Sequence, residues 1–147
     1  VERVEKIKSD LQKLNLKVQT YESKEKMKKD TDIYIVDSYG KTKSFYNYCE
    51  NVFLGGSLIN HGGQNPLEPA RFGCKILHGP YVQNFSEVYN FLKKNNLSSK
   101  FCNTEQLVDS VKKSFSSKTN FTNKTIKLKK MGSYILNKTF ADINSYL

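Results

Sequence analysis

The sequence predicts an α/β fold: a parallel sheet covered by helices on both faces. Two observations carry this expectation. Strand-like stretches at residues 16–20, 33–36, 52–54 and 75–78 alternate with helical-period stretches, and in βαβ units the helical stretches are about 10–15 residues long. The runs Ile33-Tyr34-Ile35-Val36 and Val52-Phe53-Leu54 are apolar without interruption, as strands buried on both faces are. Turn signals follow them: Asp37-Ser38-Tyr39-Gly40, Gly55-Gly56 and Gly79-Pro80.

Taken in order, Arg3, Val4, Ile7, Leu11 and Leu14 fall at helical spacing, with Glu2, Glu5, Lys6, Lys8 and Asp10 on the other face. A helix that starts at the first residue without a cap is expected to continue a longer chain, with a strand upstream. Residues 16–20 alternate as a strand, and the highly charged residues 22–30 read as a loop. The second strand, 33–36, leads to a short helix over 44–49 with Phe45 and Tyr48 facing inward. After the strand 52–54 and a glycine-rich loop, a helix starts at Pro66 or Pro69 and stops at Gly73, a natural C′ position. Residues 75–78 form the next strand. Phe85, Val88, Tyr89 and Leu92 mark a helix over 85–95, and residues 100–102 a last short strand. Asn103 or Thr104 caps a helix to residue 115 that carries Leu107, Val108 and Val111. Residues 116–123 read as a polar connection. The stretch 118–147 reads as a basic, largely helical segment broken near Gly132.

The chain of 147 residues is 37% hydrophobic and 12% aromatic, enough for one domain with a real core. Cys49, Cys74 and Cys102 are odd in number and widely spaced, and no CxxC pair occurs. That speaks against zinc and against a disulfide framework, and for buried free thiols in a reducing cytosol. No apolar run reaches the roughly 20 residues of a membrane-spanning helix, and no signal peptide is visible. The net charge is +10, but residues 31–75 are balanced at four basic and four acidic, whereas 118–147 hold six against one. A basic periphery suits phospholipid, lipid phosphate or nucleic acid. It equally suits a Lys-rich solubilising surface. The neutral centre argues against nucleic acid.

That centre runs from Val52 to Pro80: a strand, a loop with Gly55-Gly56 and Gly62-Gly63, then Asn65-Pro66-Leu67-Glu68-Pro69. A strand, a glycine-rich loop and a helix start expose backbone N–H groups to an anion. Ligands of parallel sheets bind at the carboxyl ends of the strands, where residues 37–42, 55–68 and 79–84 would lie. Asn65 and Glu68 have capping-box spacing. Alternatively, Pro69 opens the helix and Glu68 caps it. In either case Glu68 stands at the loop mouth, where a carboxylate can accept two hydrogen bonds from a ribose diol. Ser57 offers a donor to a phosphate or a hydroxyl to its own turn. His61 offers a phosphate contact or an ordinary turn residue, and His78 packs or caps at a strand end.

The string Gly55-Gly56-Ser57, then Gly62-Gly63-Gln64-Asn65-Pro66-Leu67-Glu68-Pro69-Ala70, resembles the signature of the 3-deoxy-D-manno-octulosonic acid (Kdo) transferases. Asp37-Ser38-Tyr39-Gly40 is similar to the family's Asp-Thr-x-Gly-Glu-Leu. Gly79-Pro80 with Asn84-Phe85 is similar to Gly-Pro-His-x-x-Asn-Phe, and Glu2-Arg3-Val4 to the tail of Pro-Arg-His-Pro-Glu-Arg. The matches keep their order from Glu2 to about Asp109. Gln64 and Tyr81 stand where the family has His, and Lys41-Thr42 where it has Glu-Leu.

The resemblance implies a Rossmann-like domain, the C-terminal half of a GT-B glycosyltransferase. Residues 1–147 would form one nucleotide-sugar-binding domain without the N-terminal acceptor domain. Gly40, Lys41, Thr42, Ser57, Gly62, Gly63, Asn65, Pro66, Leu67 and Glu68 would bind the nucleotide of CMP-Kdo, with Glu68 on the ribose. The catalytic base would belong to the N-terminal domain, and the fragment alone would be inactive. No metal or other cofactor is expected beside the CMP-Kdo donor. The implied partners are a lipid A precursor, the anionic inner-membrane surface and the N-terminal domain of the same chain, with no nucleic acid. The implied location is the cytoplasmic face of the bacterial inner membrane. The alternatives are a GT-B enzyme with another nucleotide sugar and a basic nucleic-acid-binding module.

Overall fold

The computed structural model describes residues 3–21 and 25–116, together with the single helical positions Ser133, Ala141 and Asn144. The connection expected over 116–123 and the basic segment over 118–147, with its break at Gly132, otherwise lie outside the described residues. The chain divides into two compact units, residues 1–42 and 43–147.

In the first unit, helix α1 (Val4–Lys13) precedes two parallel strands, β1 (Val18–Thr20) and β2 (Ile33–Ile35). Val18 pairs with Ile33 and Thr20 with Ile35. Asp32 fixes the register by accepting the Lys17 backbone N–H at 2.8 Å. Near the end of this unit Gly40 turns with φ +76°, and the Lys41 ammonium sits 5.9 Å over the Tyr21 ring.

The second unit is built on three parallel strands in the order β3 (Asn51–Phe53), β4 (Lys75–His78), β5 (Ser98–Lys100). Helix α2 (Thr42–Tyr46) leads in from the boundary, α3 (Leu67–Arg71) joins β3 to β4, and α4 (Ser86–Lys94) joins β4 to β5. Helix α5 (Thr104–Ser116) follows β5. The parallel α/β expectation therefore holds. Leu54, Ala70, Cys74, Ile76, Tyr89, Leu92 and Leu97 form the buried core. Alternation along β4 sends Leu77 away from the Ile76 face, and both side chains are buried, so this strand is covered on its two sides. Phe53 meets Phe101 with ring centroids 5.5 Å apart.

Helices α1, α3 and α4 close in the same way. The residue after each C-cap is left-handed: Asn15, Gly73 and Asn96. Its N–H returns three residues back and the next N–H five back, as in Leu97 to the Leu92 carbonyl at 2.8 Å. This is the Schellman closure, which favours Gly or Asn because both tolerate positive φ. Helix α5 starts on Asn103, whose side-chain oxygen accepts the Gln106 N–H at 2.9 Å.

Three local expectations are corrected. The last strand lies at 98–100 rather than 100–102, because Leu97 closes α4 and pairing with β4 starts at once, Ile76 opposite Ser98. Helix α2 ends at Tyr46, so the helical period never carries Tyr48 to the inner face, and Tyr48 is 88% exposed. Of the cysteines only Cys74 is buried, whereas Cys49 and Cys102 are exposed. Burial, with Cys49 nearby, pushes the Cys74 thiol up to about 11, which keeps it protonated and unreactive.

His78, at the end of β4, is buried against the Tyr89 ring, 4.4 Å between centroids, with Nδ1 2.8 Å from the Gly79 carbonyl. Burial is the main cause that lowers its pKa below the ordinary 6.5, with Lys100 and Lys93 adding to it and the Gly79 bond opposing. The unfolded chain therefore binds this proton first as pH falls. The stability due to neutral His78 is intact above pH 6.5 and declines as pH drops from there toward the folded value. Urea unfolding between pH 8 and 5 should show this decline, and His78→Asn should flatten it. An unchanged slope in the variant contradicts the assignment.

Candidate functional site

The loops after β3 and β4 leave the sheet at the same, carboxyl, end. Ser57 ties them together. Its hydroxyl donates to the Leu54 carbonyl at 2.7 Å and accepts the Gly79 N–H at 2.9 Å, while its carbonyl accepts the Tyr81 N–H at 3.0 Å. The side chain is wholly buried. Its one donor hydrogen is spent on its own turn, the second of its two expected roles, so Ser57 positions the loops and has no donor left for a phosphate. Gly79 lies so near that an added Cβ would strike the Ser57 carbonyl group.

Gly62 and Gly63 are likewise buried, with φ of +90° and +76°. A Cβ on Gly62 would collide with the Asn84 side chain, and one on Gly63 would press on Tyr81 and Val82. The Gly63 N–H is bonded to the Gly56 carbonyl at 3.1 Å, and the Gly62 carbonyl accepts the Asn84 N–H at 3.3 Å. These glycines let the loop pack onto the β4 loop. Tyr89 completes the support from below, donating its hydroxyl to the Gln64 carbonyl at 3.0 Å. Burial raises this phenol to about 12, so it stays a donor at neutral pH. Tyr89→Phe should cost about 1 kcal/mol by orphaning that carbonyl, which is roughly 3 °C in melting temperature for a chain of this size. A calorimetric melt checks it.

The supported loop delivers residues 64–68 to an open cleft of about 570 Å³, lined by Tyr46, Leu54, Gln64, Asn65, Leu67, Glu68 and Arg71. Asn65 does not form the capping box. Its side-chain oxygen accepts the Leu67 N–H at 3.0 Å, an Asx turn that leads into α3 with Pro66 as N-cap. Pro69 becomes the third helical residue, where no N–H is needed. Glu68 is thereby free of the cap. Its carboxylate reaches the Lys43 ammonium at 3.5 Å, and both side chains are well exposed, a pair worth less than about 1 kcal/mol. Pro66 and Pro69 have no N–H, and Leu67's is bonded, so within residues 66–69 the N–H open to an anion is that of Glu68. The helix start is a poorer anion cradle than the glycine pattern implied.

Of the expected site residues, Asn65, Leu67 and Glu68 line the cleft. Ser57, Gly62, Gly63 and Pro66 are buried beneath or beside the loop. Gly40 and Lys41 belong to the first unit and Thr42 ends it; all three are exposed. His61 is an exposed turn residue. The sequence reading missed Tyr46, Arg71 and Leu54. Tyr46 packs on Phe72 with centroids 5.8 Å apart. Burial first, then the nearby Glu68 carboxylate, raises its phenol. Among the described residues no helix is long and apolar enough to cross a membrane.

Parallel strands with helical crossovers, and a cleft at their carboxyl ends, define a Rossmann-like domain of the kind that forms the C-terminal half of GT-B glycosyltransferases. No family model matches the chain. Its fold superposes on the C-terminal CMP-Kdo binding domain of WaaA from Acinetobacter baumannii with a TM-score of 0.76 and 25% identity, covering 88% of this chain and 67% of that one. In sequence it is 38% identical over 63 residues to the 3-deoxy-D-manno-octulosonic acid transferase of Haemophilus influenzae, 43% of this chain and 15% of that protein. It is 32% identical over 77 residues to the transferase of Aquifex aeolicus, 52% of this chain and 22% of that protein. The Rickettsia typhi transferase shares 35% over 81 residues. The chain is related to the Kdo transferases and corresponds to their C-terminal domain. The aligned parts span less than a quarter of each of these curated relatives.

Proposed function

We propose that this domain holds the CMP part of CMP-Kdo, and that the whole protein transfers Kdo from that donor to a lipid A precursor at the cytoplasmic face of the inner membrane. One observation carries the reading. A fold matching a CMP-Kdo binding domain presents Asn65, Leu67 and Glu68 in one cleft at the carboxyl end of its sheet. Glu68 accepts the ribose hydroxyls, releasing Lys43. The Glu68 N–H and the released Lys43 ammonium face the phosphate. By the family resemblance, Gly40, Lys41 and Thr42 are further nucleotide contacts. The catalytic base and the acceptor site come from the N-terminal half, so this domain binds the donor and transfers nothing alone. The donor is taken without a metal ion.

Titration of the ¹⁵N-labelled chain with CMP should shift the amides of residues 40–42 and 64–68, equally in EDTA and in Mg²⁺. Unmoved amides refute the reading. A stronger response to UDP than to CMP would transfer the site to a GT-B enzyme with another donor.

A further inference from the structure

Two cleft side chains have no part in the reading so far, Tyr46 and Arg71. Arg71 follows Glu68 by three residues on α3, which places both on one helix face, and both line the cleft. Glu68 has Lys43 as its ion partner. Arg71 forms no salt bridge among the described residues and is exposed. The Tyr46 ring is steadied by Phe72 at 5.8 Å, and Leu54 and Leu67 add aliphatic surface beside it. A flat aromatic wall, two aliphatic side chains and an uncommitted guanidinium match a planar heterocycle with acceptors on its edge.

We propose that this part of the cleft is the base slot and that Arg71 reads the base as cytosine. The planar fork donates to cytosine O2 and N3, two neighbouring acceptors. Uracil offers O2 but turns an N3–H donor toward the same fork. In a pyrimidine nucleoside the O2 edge lies beside the ribose 2′-hydroxyl, so a ribose held on Glu68 brings that edge to the residue one helical turn on. The inference rests on the CMP reading above and adds base selectivity to it. A simpler role for Arg71, complementing the carboxyl end of a five-residue helix, would not distinguish one base from another.

The test is calorimetric or NMR titration of the chain and its Arg71→Ala and Arg71→Lys variants with CMP and with UMP, each fold checked by a thermal melt. The unsubstituted chain should prefer CMP by about tenfold, the worth of one bidentate base contact. Arg71→Ala should lose about tenfold for CMP while UMP stays within about twofold, erasing the preference. Arg71→Lys keeps the charge without the fork, and its preference should be as small as that of the Ala variant. Equal losses for both nucleotides, or unchanged CMP affinity, overturn the inference and leave the CMP reading standing. A chain that binds neither nucleotide overturns both.

Discussion

Glu68→Ala should weaken CMP binding roughly 30- to 150-fold, the equivalent of about 2–3 kcal/mol for hydrogen bonds to a charged group. The carboxylate stands half-exposed on the second residue of α3, at the edge of the cleft. Its contact with Lys43 is long and solvated, so removing it should leave the melting temperature within about 2 °C. That separation makes the variant informative: a loss of affinity without a loss of stability belongs to the ligand. Glu68→Gln keeps an acceptor but not the charge and should fall between the two. Titration calorimetry with CMP, beside thermal melts of the same samples, decides it. Unchanged affinity in Glu68→Ala would remove the ribose role.

Gly79→Ala should have the largest effect on stability, about 3 kcal/mol or more. The added Cβ would meet the Ser57 carbonyl carbon and oxygen, which are backbone and cannot swing aside. To relieve the clash, the loops must part, breaking the Gly79-to-Ser57 and Tyr81-to-Ser57 hydrogen bonds together. Melting should drop by roughly 6–12 °C, and CMP affinity should fall with it. Gly55→Ala is the internal control. It lies two residues before Ser57 in the loop after β3, yet a Cβ there meets nothing within 4 Å and its φ is not left-handed. That variant should melt within about 1 kcal/mol of the parent. Equal melting of the two variants would show that the Ser57 contact does not hold the loops.

Much of this was legible in the sequence because the signals were local. Gly73 after a short helix and the apolar run of β4 each predict their element on their own. The strand 98–100 was not legible: Ser98-Ser99 carries no apolar pattern, and it becomes a strand because β4 supplies a ladder and Leu97 ends the helix before it. The cap at Asn65 and Glu68 was half legible. The spacing suggested reciprocal capping, but Pro66 set the helix one residue later and turned Glu68 outward to Lys43. Tyr46 and Arg71 were invisible because only the fold brings them to one cleft. Ser57 was half legible: a hydroxyl bonded to its own turn was one of its two readings, but the Gly79 N–H that it also accepts comes from a loop that only the fold brings near.

The doubly bonded Ser57 hydroxyl also fixes when the disorder of the site is lost. The chain entropy of both loops is given up during folding, before any nucleotide arrives. The bound and free loops should then have nearly the same shape, so little of the intrinsic contact energy is consumed in ordering them. A small set of polar contacts can in this way hold a small, highly charged ligand, at the cost of a site that has no existence apart from the intact domain.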